Sequence, residues 1–236
     1  MNDLRGETRA WYTDYYVRTG TDRNNIRKNP EVLFQTLANE KSVVHAARNI
    51  PLEPPDAKVL DVGCGAGGNF FQLFRLGYRP ENLSGIDILQ ENLGEAKKYY
   101  PQVRLVCSDA SCMPFKNNEF DLVSESTMFA TLPDEDLAGR IAAEMLRVCR
   151  CGGYLQLIDW RTPKPRDRHY SALTKSRLRH LFKLGSATEL IGISHGSLIP
   201  PIGRFLSKYL PASYFPVATL FPFLVGQVVY VLRKKT

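Results

Sequence analysis

A turn crowded with glycine stands directly after a short apolar run, and this feature restricts the fold more than any other. Val59-Leu60-Asp61-Val62 leads into Gly63-Cys64-Gly65-Ala66-Gly67-Gly68, and a helical pattern follows. Glycine is needed where a backbone turns sharply and a ligand must come close. The strand, turn and helix repeat down the chain. Strand patterns fall at 58–62, 83–87, 103–107, 120–124 and 154–159, with helical patterns between most of them, at 67–76, 90–99 and 134–148. Such alternation implies parallel pairing, so the expected class is α/β with a doubly wound, mostly parallel sheet. Upstream, Asn29-Pro30-Glu31 reads as a helix start, with the helix running to about Arg48 before Pro51, Pro54 and Pro55 break the chain. Downstream come strand patterns at 188–193 and 227–232, separated by an apolar stretch with prolines at 211, 216 and 222. The reading is one domain: an N-terminal helical lid (1–55), a ligand-binding core (56–160), and a basic helix, two strands and an apolar insertion on the acceptor side (161–236).

The loop satisfies two patterns. Gly63, Gly65 and Gly68 fit a dinucleotide fingerprint, whereas Asp61, Gly63, Gly65 and Gly67 fit the acidic loop of S-adenosylmethionine enzymes. Asp61 separates them. A carboxylate at that strand end would repel a pyrophosphate, but it attracts the ammonium and sulfonium of S-adenosylmethionine. A unit pair at 4 Å is worth roughly 4 kcal/mol under surface-like screening, before desolvation. The alternative is that Asp61 only caps the turn. Asp87 closes the second strand and suits a ribose, whose two hydroxyls a carboxylate accepts together. Asp109, after the third strand, suits an adenine amine, with a helix N-cap as its competing role.

These residues make the chain resemble class I S-adenosylmethionine-dependent methyltransferases of the methyltransferase-domain family. The motifs are VLDVGCGAGG (59–68), GID (85–87), SDASCMPF (108–115), FDLV (120–123) and EMLRVCRCGGYL (144–155). The resemblance implies that Asp61, Gly63, Cys64 and Gly65 hold the amino-acid end of the cofactor. Asp87 would take the ribose, Ile88 would pack the adenine, Asp109 and Ala110 would hold its rim, and Ser126 would line the floor. It implies S-adenosylhomocysteine as product, and a seven-stranded sheet with the last strand antiparallel. Cys151 departs from the usual small residue or proline in the RCGG turn, which Gly152 and Gly153 should preserve. Segments 22–42 and 157–169 are loosely similar to bacterial members associated with polysaccharide or glycolipid assembly.

The chain of 236 residues carries a net charge of +7, and that excess is local. Between Arg161 and Lys183 eight basic residues face the single acid Asp167, and the rest of the chain balances. Such a cluster suits an anionic acceptor, a nucleic acid or an anionic membrane, or is a solvated face. Arg161 and Arg168 would clamp an acceptor phosphate. The five scattered cysteines, without metal-ligand spacing, predict reduced thiols and no metal. No spanning helix and no secretory signal are expected, which suggests a cytoplasmic protein, peripheral to a membrane if the insertion dips into one.

Methyl transfer requires an aligned nucleophile and exclusion of water, and a hydroxyl acceptor also requires a base. Asp159, at the end of the fifth strand, and His195, after the sixth, are the candidates. Trp11, Tyr12, Tyr15 and Tyr16 predict a short aromatic helix, whose Tyr16 would close over the site or pack in the core. The leading function is methylation, at oxygen, of a small-molecule, sugar, glycan or lipid-linked anionic acceptor. An RNA methyltransferase and a non-catalytic cofactor-binding partner are the alternatives. The oligomeric state is not encoded in any pattern found.

Overall fold

The computed structural model describes residues 25–235 except 133, 165, 166 and 168, together with residues 10 and 13. Seven strands form one sheet in the order β3-β2-β1-β4-β5-β7-β6. They are β1 (Val59–Val62), β2 (Leu83–Asp87), β3 (Arg104–Cys107), β4 (Phe120–Ser126), β5 (Cys149–Trp160), β6 (Thr188–His195) and β7 (Gln227–Lys234). The first five pair in parallel, and β7 runs antiparallel between β5 and β6. The expected class is therefore the observed one.

Side-chain alternation along the strands builds two cores. Leu60, Val62, Val123, Leu155, Leu157, Tyr230 and Leu232 pack on one face of the sheet, while Val59, Leu83, Leu122, Ile158, Val229 and Val231 pack on the other. Helices cover both faces, which is why β1 is buried along its whole length and reads as a continuous apolar run. On the first face lie α4 (Glu135–Val148) and α5 (Lys175–Leu181); on the second lie α1 (Leu33–Ala47), α2 (Phe70–Arg75) and α3 (Gln90–Tyr99). The reasons for α4 are local. Asp134 caps its start by accepting from the Leu137 amide at 2.9 Å, acids fill its first turn, and Ala138, Ile141, Ala142, Met145 and Val148 make its buried stripe.

Three differences from the sequence reading have physical causes. The RCGG turn does not precede β5 but lies within it: Phe120 pairs with Cys149 while Leu122 pairs with Tyr154, and Gly152 at φ +71° absorbs the bulge. The helix after the glycine loop begins at Phe70, because Gly67 is itself a left-handed turn residue at φ +84°. Of the expected lid, the described part packs on the sheet instead: α1 lies across β6 and β7. Its approach is close, since a Cβ on Gly192 would meet the Asn49 amide at 2.8 Å. The aromatic segment with Trp11, Tyr12, Tyr15 and Tyr16 lies outside the described residues.

The prolines divide the C-terminal insertion as expected. It forms α6 (Pro200–Tyr209), a 3-10 turn (Pro211–Ser213), α7 (Tyr214–Leu220) and a second 3-10 turn (Pro222–Leu224). No helix among the described residues is long and apolar enough to cross a membrane. Met145, with no exposure, anchors α4 to the sheet. Met145→Ala should cost about 2–5 kcal/mol, read from the urea midpoint; a loss below about 1 kcal/mol would show that this interface repacks freely.

Candidate active site

The sheet order reverses between β1 and β4, so a crevice opens there at the carboxyl ends of the strands. The glycine loop forms its floor. The Gly63 and Cys64 amides both donate to the Ile86 carbonyl, at 2.8 and 3.0 Å, which folds the chain back over β2. Gly63 has φ +68°, and a Cβ there would stand 3.2 Å from the Met128 sulfur. At Gly67 a Cβ would collide with the Tyr100 and Phe70 rings at 2.7 and 2.8 Å. The Cys64 thiol turns away from the crevice and packs beneath Gly85, where a Cβ would meet its sulfur at 2.7 Å. Burial pushes that thiol well above the ordinary cysteine range. Any contact from Cys64 to a ligand would thus come from its main chain, not from the sulfur.

Asp87 holds this loop in place. One carboxylate oxygen accepts from the Gly65 amide at 2.9 Å and the other from the Leu89 amide at 2.8 Å. The carboxyl stays half-buried, and burial raises its pKa while these amides pull it back. Ile88 stands beside it, half-buried, and Ala110 packs on the first core. Asp109 accepts from the Ser111 amide at 2.7 Å in a local turn; no helix starts behind it, so the alternative role as a helix N-cap is not the observed one. Ser126 is exposed at the end of β4.

Asp61 is buried, and Asn69 donates to it at 2.9 Å while also reaching the Ser124 hydroxyl at 3.1 Å. Burial is the main reason its pKa rises to about 7; Asn69 opposes the rise and Asp87 adds to it. Glu125 was not singled out from the sequence, although an acid inside an apolar strand is the signal that marks it. It has no exposure, its Oε2 accepts from the Met128 amide at 2.9 Å, and its Oε1 is buried without a partner. Burial, then the neighbouring charge of Asp159, raises its pKa far above the carboxylate range.

The two expected bases sit differently from the sequence reading. Asp159 is fully buried, and the amides of Ala130 and Trp160 occupy its two oxygens at 2.9 and 2.7 Å. It anchors the turn after β4, so it is not free to reach an acceptor. His195 is exposed at the end of β6, three strands from β4. At the usual spacing that is about 14 Å, too far for a proton acceptor at the β4 end of the crevice. Its Nε2 faces the Arg161 guanidinium at 3.4 Å, and burial followed by the Arg161 and Lys175 charges lowers its pKa.

Two arginines of the basic cluster are consumed by the fold, whereas Lys175, Arg179 and Lys183 are exposed. Arg161 donates from Nε to the Val225 carbonyl at 2.9 Å and from Nη2 to the Pro222 carbonyl. Arg177 donates to the carbonyls of Phe129, Ser171 and Leu132 and pairs with Glu135. Lys164 lies 4.1 Å over the Tyr170 ring. Arg161 is therefore a strap for the C-terminal insertion and not a free phosphate clamp; Arg168 and Tyr16 lie outside the described residues. A shallow cavity of about 560 Å³ remains here, lined by Glu135, Lys164, Asp167, Tyr170, Arg177 and His180, with both signs of charge.

A doubly wound sheet with a glycine loop at its switch point, a buried carboxylate at the end of β1 and a half-buried one at the end of β2 is the arrangement of a nucleoside-binding domain. Comparison with known proteins agrees. Residues 59–153 match the methyltransferase domain family. An uncharacterized methyltransferase of Synechocystis is 32% identical over 158 residues, spanning 65% of this chain and 71% of its own. A phthiotriol/phenolphthiotriol dimycocerosates methyltransferase of Mycobacterium ulcerans is 30% identical over 173 residues, 65% of this chain and 62% of its own. The chain belongs to the class I S-adenosylmethionine-dependent methyltransferase family. It spans about half the length of several curated relatives that it matches. The fold is shared with the 1,6-didemethyltoxoflavin-N1-methyltransferase of Burkholderia thailandensis, solved with S-adenosylhomocysteine, at TM-score 0.64 and 15% identity over 100% of this chain and 92% of that one.

An Asp61 carboxylate that faces the ammonium of the cofactor should make binding pH-dependent. With an unfolded value of 3.8 and a folded value of about 7, its contribution to stability is complete below about pH 4 and is lost as pH rises through 7. A ligand ammonium needs the ionised carboxylate, so binding expels the proton. S-adenosylmethionine affinity should climb about tenfold per pH unit up to about pH 7 and then level off. Titration calorimetry in buffers of different ionisation enthalpy checks this, and Asp61→Asn should flatten the profile. A flat wild-type profile would mean that Asp61 does not face the ammonium.

Proposed function

We propose that this protein transfers the methyl group of S-adenosylmethionine to a small-molecule or lipid-linked acceptor with a substantial apolar part. The observation that carries the methyl-donor reading is the Asp61–Asn69 pair beside a loop already fixed by Asp87. The residues present fit the cofactor: a desolvated carboxylate suits a cation, and a half-buried carboxylate at the end of β2 suits a diol. When bound, the sulfonium supplies an activated methyl group. Asp61 would hold the ammonium, Asp87 the ribose, Ile88, Asp109 and Ala110 the adenine, and the main chain of Gly63, Cys64 and Gly65 the amino-acid end. Ser126 and the turn held by Glu125 and Asp159 would form the wall between cofactor and acceptor, aligning the nucleophile and excluding water.

Glu125 and Asp159 are fully buried with raised pKa values. They therefore fit as supports of the turn after β4 and not as the base that takes the acceptor's proton. Support for an apolar acceptor comes from the relatives, whose names carry sterol, hydroquinone and phthiotriol groups, and from the aromatic insertion that Arg161 ties to the end of β5. Support for an anionic acceptor is weaker than the sequence suggested, since Arg161 and Arg177 are spent on main-chain carbonyls. The same observation weighs against an RNA acceptor.

Asp87→Ala should lower S-adenosylmethionine affinity about 100-fold, because two charge-assisted hydrogen bonds that shape the site disappear. The melting temperature should move by only a few degrees; wild-type affinity would remove the ribose assignment. Labelled methyl transferred into a fractionated lysate should appear with lipids or small metabolites. Label in RNA, or no label with the cofactor bound, would overturn the proposed acceptor class or the turnover itself.

A further inference from the structure

The C-terminal insertion closes over α1 with a core of its own, in which Leu198, Leu206, Tyr214 and Val225 meet Ala38. The Tyr214 hydroxyl accepts from the Leu198 amide at 3.3 Å, which fastens α7 to the start of the insertion. With that core filled, six large apolar side chains still face solvent. Phe205, Tyr209, Leu210, Leu220, Phe221 and Phe223 are each between 44% and 73% exposed. Phe205 and Tyr209 sit one turn apart on α6 with ring centres 5.2 Å apart, and Phe221 meets Phe223 at 6.0 Å. They belong to elements that touch one another, α6 to α7 and α7 to the final 3-10 turn. A water-exposed surface seldom concentrates so many aromatic and aliphatic groups unless something covers them.

The charges say what the cover is. No acid occurs after Glu189 in the sequence, and the insertion itself carries only Arg204 and Lys208. Lys208 lies 5.1 Å over the Tyr209 ring, and Lys41 of α1 reaches over Phe215 at 5.5 Å. The nearest acids are Glu31, half-buried in the turn that packs on α6, and Glu40, paired with Arg75. The exposed aromatics are thus fringed mainly by cations, which matches the apolar boundary and anionic headgroups of a bilayer. The prolines keep the helices short, so the face can lie in the interface but cannot span it.

We propose that this face docks on an anionic lipid bilayer. Phe205, Leu220, Phe221 and Phe223 enter the boundary between headgroups and acyl chains, and Lys41, Arg204 and Lys208 remain at headgroup level. The docked face hangs from the acceptor side of the sheet: the Arg161 amide donates to the Gly226 carbonyl at 2.8 Å, and its guanidinium holds Pro222 and Val225. A bilayer contact there brings the strand ends to the membrane surface. This deepens the apolar-acceptor reading but rests on it only for the route, since the surface is argued from its own residues.

Vesicle flotation of the full chain, without cofactor or acceptor, tests the surface. The protein should float with phosphatidylcholine–phosphatidylglycerol vesicles, less with phosphatidylcholine alone, and less at high salt. Joint replacement Leu220→Ser, Phe221→Ser and Phe223→Ser should weaken the partition by about tenfold or more. Lys41→Glu with Lys208→Glu should abolish the preference for anionic vesicles. Circular dichroism and melting temperature serve as the folding control, and all five positions are exposed. No flotation with anionic vesicles, or undiminished flotation of the serine variant, overturns the proposal. So does a dimer that the serine variant dissociates in the absence of vesicle binding, which assigns the face to a second copy. Failure here leaves methyl transfer standing, and a lysate without methyl label leaves vesicle binding standing.

Discussion

Three carboxylates, Asp61, Glu125 and Asp159, are buried at the carboxyl ends of β1, β4 and β5. Withdrawing such groups from water is costly unless each finds a partner or keeps a proton. The surrounding structure is organised to supply those partners. Asn69, placed by the turn before α2, serves Asp61; the turn after β4 turns the Met128 and Ala130 amides toward Glu125 and Asp159. Strand alternation decides the grouping. Glu125 and Asp159 share the α4–α5 face with Val123 and Leu157, whereas Asp61 shares the opposite face with Ser124. Burial raises the pKa of all three carboxyls, so each face of the sheet keeps its acid only because a local donor meets it.

The loop and strand ends of the proposed cofactor site were legible because their positions are set locally. The loop, Asp61 and Asp87 lie at strand ends that the apolar pattern locates within a residue, and their ligand class follows from the sign of one charge. The acceptor half was not legible, because there the outcome depends on what distant segments bring. Counting eight cations between Arg161 and Lys183 could not reveal that carbonyls from 222 and 225 would meet Arg161, or that those of 129, 132 and 171 would meet Arg177. Asp159 looked available because its position was right; its amide partners come from the turn after β4 and from its own chain neighbour. Glu125 was hidden by a choice between adjacent residues, since the strand continues to Ser126 and carries the glutamate inward.

The two halves meet at Arg161, the first residue after β5. A side chain expected to greet a ligand is instead the rivet between the catalytic sheet and the aromatic insertion. Guanidinium groups suit this use because their forked donors can satisfy several carbonyls that would otherwise be left without partners. The insertion is thereby fixed relative to the strand ends even though its own core is small.

The placement of β7 bears on the order in which the molecule can assemble. Among the described residues β6 pairs with no strand except β7, and β7 enters between β5 and β6. During synthesis, residues 188–195 are made well before 227–234, so β6 waits with an open edge. The apolar insertion lies in the interval and emerges during that wait. Long-range pairing of this kind closes slowly and leaves unpaired edges and apolar surface exposed meanwhile. The nascent chain should thus be most vulnerable to sticking to its neighbours, and most in need of a chaperone, in the window between the two strands.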